Sequence, residues 1–309
     1  MNHETTVPLR PDSLSEAHRA MGLPMPQHPL LSLVNGCQNQ VVRMPPGTHI
    51  LQFYKISFKP DFPGRLKYGQ SYFDFDGGGL LFASPGQIID PYESDANAEP
   101  EPRSLATLLI HPDFLWNHPL ARKIKQYGFF SYATNEALHL SEDEKNTILS
   151  IFRMIETELD GRIDDFSQNV ILSQIELLLN YADRFYKRQF ITRKAANSDL
   201  LQKLEDLLDA HFSNTGLGEK GVPTVQSLAS KLNLSPSYLS DMLRVATGQN
   251  AQQHIHAKLI EKAKEILSTT ALSVSEVAYA LGFEHPQSFS KLFRKKVEQS
   301  PLEFRRSFR

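Results

Sequence analysis

Two short stretches of this 309-residue chain carry side chains able to hydrogen-bond the edges of nucleic-acid bases. In one, Leu239, Met242 and Leu243 mark the inward face of a helix, which turns Ser237, Ser240, Asp241 and Arg244 outward. In the other, Phe289, Leu292 and Phe293 face inward, and Gln287, Ser290, Lys291 and Arg294 face outward with Lys295 beside them. A glutamine amide can bond adenine through two atoms, Lys and Arg favour guanine, Asp accepts from cytosine, and serine is less selective. Gln287, Lys291 and Arg244 therefore weigh most as base readers. Arg294, Lys295 and Lys296 suit phosphate contact, which positions a protein without specifying sequence. Arg305, Arg306 and Arg309 form a basic tail, open equally to phosphate contact and to solvation.

The elements that must position these side chains are repeated. Val225, Leu228, Ala229 and Leu232 recur 49 positions later as Val274, Val277, Ala278 and Leu281, each set at the i, i+3, i+4, i+7 spacing of one helix face. Thr224 and Ser273 stand where N-caps are needed. Leu234 and Phe283 follow as apolar anchors, and a turn leads to the second helix, where the offset becomes 50 because the second turn is one residue longer. A short helix, a tight turn and a second helix make a helix-turn-helix, whose second helix enters the major groove. One such hairpin could equally belong to an ordinary helical bundle; two copies with matched alanines, caps and turns argue against that. Between them, Ile255, Leu259, Ala263 and Ile266 stripe a helix predicted over 250–270. At 1.5 Å per residue that helix spans about 30 Å, close to the roughly 34 Å turn of DNA, so it could set two recognition helices in successive grooves.

The segment Thr224 to Arg305 resembles the DNA-binding domain of the AraC/XylS family of regulators. The resemblance rests on the runs Leu-Ser-Pro-Ser-Tyr-Leu-Ser (234–240), Ala-Lys-Glu-Ile-Leu (263–267), Val-Ala-Tyr-Ala-Leu-Gly-Phe (277–283), Phe-Ser-Lys-Leu-Phe-Arg-Lys (289–295) and Ser-Pro-Leu-Glu-Phe-Arg (300–305). It implies a sequence-specific transcription regulator with double-stranded DNA as partner, and points to positions 237, 240, 241, 287, 290 and 291. RNA polymerase, a small effector and a second copy of the chain are further partners it suggests. One departure stands out: Glu298 occupies a position where the family usually has glycine, whereas its first-unit counterpart, Gly248, is kept.

Charge supports a divided chain. Val222 to Arg309 holds twelve Lys and Arg against seven Asp and Glu, a balance of +5, within a net charge of -2, which leaves -7 for the rest. An acidic partner domain attached to a basic one fits this asymmetry. Cys37, the only cysteine, has no disulfide partner within the chain, no motif makes it a nucleophile, and a reducing cytoplasm suits it. The N-terminus has no apolar signal core, and no apolar run is long enough to cross a membrane.

The fold class expected is multidomain α and β: an N-terminal domain over 1–190, a linker over 191–198 and an all-α domain with two helix-turn-helix units over 199–309. Residues up to about Pro29 read as a loose lead-in. Short branched and aromatic runs over 33–111, among them Val41–Met44 and Gly79–Ala83, alternate with Gly- and Pro-rich turns and predict a small barrel or sandwich. On the family resemblance this is a cupin-like β-barrel that binds an effector. Phe53, Tyr68, Tyr72 and Phe82 are the candidate pocket residues, with core packing as the alternative. A metal site is not expected, because Leu51 stands where cupins place the second histidine after His49, and no catalytic residue or cofactor is assigned. Helices follow from about Ser141. Ile171, Ile175, Leu178, Ala182 and Phe185 have coiled-coil spacing and are equally a dimer seam or a face packed within the chain. The competing functions are a cupin-type enzyme fused to a DNA-binding domain, and an architectural protein that binds DNA without sequence preference.

Overall fold

The computed structural model describes residues 10–35, 49–60, 67–68, 71–72, 78–89, 106–133, 136–161, 164–213 and 221–308. Cys37 and Val41–Met44 lie outside them. The chain divides into Met1–Thr192 and Arg193–Arg309. The stretch expected as a linker is helical apart from Arg193, because one helix ends at Thr192 and the next begins at Lys194.

Unit 1 begins with α1 (Leu14–Ala20), where a loose lead-in was expected. Ser13 caps it by accepting from the Glu16 amide. Its apolar side, Leu14 and Ala17, joins Met21, Leu23, Val34, Leu51, Phe53 and Leu109 in one buried cluster. Seven residues give too few helical repeats to stand out from a polar lead-in; tertiary burial rather than periodicity makes this helix.

The strands are β1 (Leu31–Asn35), β2 (His49–Ile50), β3 (Tyr54–Lys59), β4 (Lys67–Tyr68), β5 (Ser71–Tyr72), β6 (Gly79–Ala83), β7 (Ile88–Ile89), β8 (Ala106–Ile110) and β9 (Leu138–His139). Five form an antiparallel sheet in the order β1-β8-β3-β6-β9, while β2–β7 and β4–β5 pair separately. Among the described residues this sheet is open, where a closed cupin-like barrel was expected. Helix α4 (Ser167–Thr192) occupies the β9 edge. There the buried Gln189 accepts from the His139 amide at 2.9 Å and donates to the Ala137 carbonyl at 3.2 Å, so a side-chain amide supplies hydrogen bonds of the kind a neighbouring strand would make.

Along β3 and β6, Ile56 faces Phe82, and side chains alternate between the sheet faces. Phe82 meets Phe129, Phe130 and Tyr186, the closest ring at 4.5 Å. Phe53 belongs to the α1 cluster together with Leu109, which pairs with Lys55 on the opposite face. The structure therefore separates two of the four predicted pocket residues, and both are core. Across β4 and β5 Tyr68 pairs with Ser71 and Tyr72 with Lys67; the side chains of both tyrosines lie outside the description.

Helix α2 (Leu120–Lys123) precedes β9, and α3 (Glu142–Asp160) follows it. Ser141 and Glu144 cap α3 reciprocally. The supposed dimer seam of α4 is buried, from 0% exposure at Ile175, Leu178 and Ala182 to 6% at Phe185. Helix α3 and β9 pack on α4, so this stripe is filled by its own chain, and a second copy would have to displace that packing to use it.

Unit 2 is entirely helical among its described residues. It comprises α5 (Lys194–Ser213), α6 (Val225–Lys231), α7 (Pro236–Thr247), α8 (Ala251–Thr269), α9 (Val274–Ala280), α10 (Pro286–Val297) and α11 (Pro301–Arg306). Ala251, Ile255, Leu259, Ile260, Ala263 and Leu267 bury α8 against α5, α6, α7, α9 and α11, leaving α8 as the axis of this unit.

Candidate nucleic-acid interface

Two helix pairs, α6–α7 and α9–α10, are built by matching devices. Thr224 with Ser227 and Ser273 with Glu276 form reciprocal caps that start α6 and α9. Leu228 and Ala229 in one, Val277 and Ala278 in the other, are buried to 0–1% exposure; the small alanines let the helices cross closely. Each turn is closed by one equivalent bond: the Leu234 amide donates to the Ala229 carbonyl at 2.9 Å, and the Phe283 amide to the Ala278 carbonyl at 3.0 Å. Each turn also needs one left-handed residue at the same repeat position, Asn233 at φ 56° and Gly282 at φ 87°. Asn tolerates that conformation through its short polar side chain, and Gly does so without a Cβ.

Gly282 has a second constraint. A Cβ there would stand 2.4 Å from the Gly221 carbonyl carbon, so the backbone leading into α6 presses on the second turn. Behind it, His211 Nε2 lies 3.0 Å from the Gly221 carbonyl and so donates to it. The helix ends repeat as well. Gly248 at φ 77° and Glu298 at φ 63° cap α7 and α10, their amides donating to the Arg244 and Arg294 carbonyls at 3.0 and 2.9 Å.

On this frame Leu239, Met242, Leu243, Phe289 and Phe293 are fully buried. The outward side chains follow by helical phase. Arg244, Gln287, Lys291, Arg294 and Lys295 are exposed, and Ser237, Ser240, Asp241 and Ser290 are half-exposed. Arg244 does not stand free: its Nη1 donates to Asp241 Oδ1 at 2.7 Å. The second pair presents a denser positive face, Lys291 through Lys296. The charge of Lys296 and Lys295 reaches His256 of α8, whose pKa is lowered first by burial and then by those two lysines.

Sequence reasoning missed several positioning contacts. Lys258 of α8 binds Asp209 of α5 at 2.7 Å, and this hydrogen bond is the main reason its pKa is raised. His254 Nε2 meets Thr247 Oγ1 at 2.8 Å, joining α8 to the end of α7. Arg305 was left open between phosphate contact and solvation. Its Nε donates to the Leu267 carbonyl at 3.2 Å, at the C-terminal end of α8, and its Nη2 is buried. It therefore belongs to the packing of α11 on α8. The Lys258–Asp209 and Arg305–Leu267 pairs span tens of residues without any shared periodicity; Gly282 alone left a visible trace, as a glycine in a turn.

The helix-turn-helix domain family matches residues 228–307, the whole of both pairs except the start of α6. Over 108 residues, 35% of this chain, the sequence is 33% identical to the arabinose operon regulatory protein of Salmonella typhimurium, covering 34% of that protein. It is 31% identical over 109 residues to the uncharacterized HTH-type transcriptional regulator YijO of Escherichia coli, covering 36% of it. The domain over residues 228–307 is a helix-turn-helix domain of the AraC type. Among solved structures, the C-terminal domain of the response regulator yesN from Fusobacterium nucleatum is 32% identical, covering 33% of this chain and 96% of that one, with a TM-score of 0.29. The chain spans about a third of the length of the two regulators, so the likeness concerns the AraC-type domain. Within that domain, the departure at Glu298 falls where the backbone is left-handed.

Proposed function

We propose that this chain is a sequence-specific DNA-binding transcription regulator, with α6–α7 and α9–α10 as two helix-turn-helix units that set α7 and α10 in successive major grooves. The observation that carries this reading is the repeated geometry: equivalent closing bonds, equivalent left-handed residues and equivalent outward faces on either side of α8. At 1.5 Å per residue, α8 spans about 28 Å, near one turn of DNA. Ser237, Ser240, Asp241 and Arg244 then read one half-site, and Gln287, Ser290 and Lys291 the other, with Arg294 and Lys295 on phosphate. Unit 1 is the sensor domain in this reading, without catalytic activity. On the family resemblance, a small effector, RNA polymerase and a second copy of the chain are its further partners.

Selection of binding sites by the full-length chain from a random DNA pool at physiological salt tests the proposal. Two short half-motifs with centres about one helical turn apart are expected. Salt-sensitive binding without any motif would replace it with the architectural alternative.

A further inference from the structure

The two helix pairs of unit 2 repeat each other, and one contact breaks the symmetry. At the left-handed turn position the first pair has Asn233, which is exposed. The second pair has Gly282 there, and a Cβ on it would overlap the Gly221–Val222 peptide, 2.7 Å from the Gly221 oxygen and 2.8 Å from the Val222 nitrogen. Turn geometry alone admits asparagine, as the first pair shows. Gly282 is required because the backbone entering α6 lies on it. The two pairs therefore meet directly at this point as well as through α8.

Gly221 is itself left-handed at φ 63°, and the direction of its carbonyl is fixed by His211 Nε2 at 3.0 Å. A carbonyl only accepts, so that nitrogen carries the proton. His211 stands near the end of α5, an element with no counterpart in the repeat. It is half-buried, its ring edge-on to the buried Phe212 at 5.2 Å. Two residues earlier, Asp209 ties α5 to Lys258 of α8 at 2.7 Å, and α5 packs on α7 and α8. The donor is thus anchored to the axis of the unit, while the acceptor lies on the second turn. Apolar packing on α8 is non-directional. The hydrogen bond and the peptide laid on a glycine are directional, and they set the angle between the two pairs. That angle has to be held closely. On a lever of about 17 Å, half of one DNA turn, a rotation of about 12° displaces a recognition helix by about 3.5 Å, one base-pair step.

We propose that His211 is a positioning residue for DNA recognition. Held by α5, it fixes Gly221 against Gly282 and so sets the spacing between the half-sites that α7 and α10 accept. It acts through the backbone and needs no contact with base or phosphate. This role rests on the reading of the two pairs as two groove-binding units.

Anisotropy titration of the full-length chain tests this. The duplexes carry the two selected half-motifs at the preferred spacing, at spacings one base pair shorter and longer, and each half-motif alone. The parent chain should lose about tenfold in affinity for a one-base-pair change, comparable to a mismatched base pair. His211→Phe keeps a ring against Phe212 and removes the donor. It should hold the affinity for isolated half-motifs and cut the spacing penalty to about threefold or less, below the cost of one mismatch. His211→Met also lacks a donor and gives the same measurement if the Phe variant does not fold; melting curves verify each. His211→Gln keeps an N–H donor and should retain most of the parent's penalty. A parent-like penalty in the folded variants without a donor overturns the proposal. So does a loss of half-motif affinity in step with the penalty, or a Gln variant as relaxed as the Phe variant. A parent chain indifferent to spacing also overturns it and leaves a regulator that reads through one unit; a parent chain that selects no motif removes both readings together.

Discussion

Asp241 and Arg244 are joined on the outward face of α7 by an ion pair of 2.7 Å, one helical turn apart. Both are candidate base readers, so the pair must open before either meets a base edge. Exposed pairs of this kind contribute only about 0.3–0.5 kcal/mol, which makes opening easy; yet Asp241 also places a negative charge against any phosphate near Arg244. Asp241→Ala should raise affinity for random DNA a few-fold, steepen the salt dependence by about one unit of slope, and relax discrimination in one half-site. Anisotropy titrations at several salt concentrations read all three. Unchanged affinity for random DNA would remove Asp241 from the interface.

Gln287 is exposed at the start of α10, one turn before Lys291. Gln287→Ala should cost about 1–3 kcal/mol on the preferred site and relax specificity at one position, while Lys295→Ala weakens all sequences alike. Competition with single-base variants of the selected site distinguishes these patterns. Equal weakening by Gln287→Ala on random DNA would count against direct readout.

Glu298 and Gly282 make opposite predictions about the backbone. Glu298 is left-handed at φ 63° where the first pair has Gly248, a conformation that costs a residue with a Cβ about 1–2 kcal/mol. Glu298→Gly should therefore raise the melting temperature by a few degrees and leave DNA affinity intact. Gly282→Ala adds a Cβ to a left-handed residue and drives it to 2.4 Å from Gly221, so it should cost about 2 kcal/mol or more. Thermal melting of both variants beside the parent chain reads the contrast.

Stability should also fall on acidification. His254 and His256 are held below the ordinary imidazole value of 6.5, burial being the larger cause in each; Glu205 opposes the shift at His254, and Lys296 and Lys295 add to it at His256. The folded state thus disfavours their protonation while the unfolded chain accepts it, so this contribution is full above pH 6.5 and is lost as pH drops below that value. Denaturant unfolding at pH 7.5 and 5.5 should show the loss, and the double substitution His254→Gln, His256→Gln should reduce it. An unchanged slope in the double variant would assign the pH dependence elsewhere.

The residues alone determined the helix-turn-helix part of this protein. Its helices are amphipathic, its caps and turns are local, and a repeat at offsets of 49 and 50 doubles every signal. Helical phase then fixes which side chains point outward, so Gln287 and Arg244 are found without coordinates. Tertiary structure decided what depends on distant partners. Residues Leu14 and Ala17 make a helix because they are buried in one cluster with Leu109 and Phe53. The sheet edge at β9 is taken by Gln189, fifty residues along the chain from His139, a pairing no periodicity announces. The spacing of Ile171 through Phe185 fits a seam between chains as well as a face within one; only the packing of α3 and β9 on α4 filled it. Charge left Arg305 open equally to phosphate contact and to solvation, and its bond to the Leu267 carbonyl made it part of the scaffold. Local patterns are legible because their energies act between neighbours in sequence; burial and long-range hydrogen bonds are settled only when the chain has closed on itself.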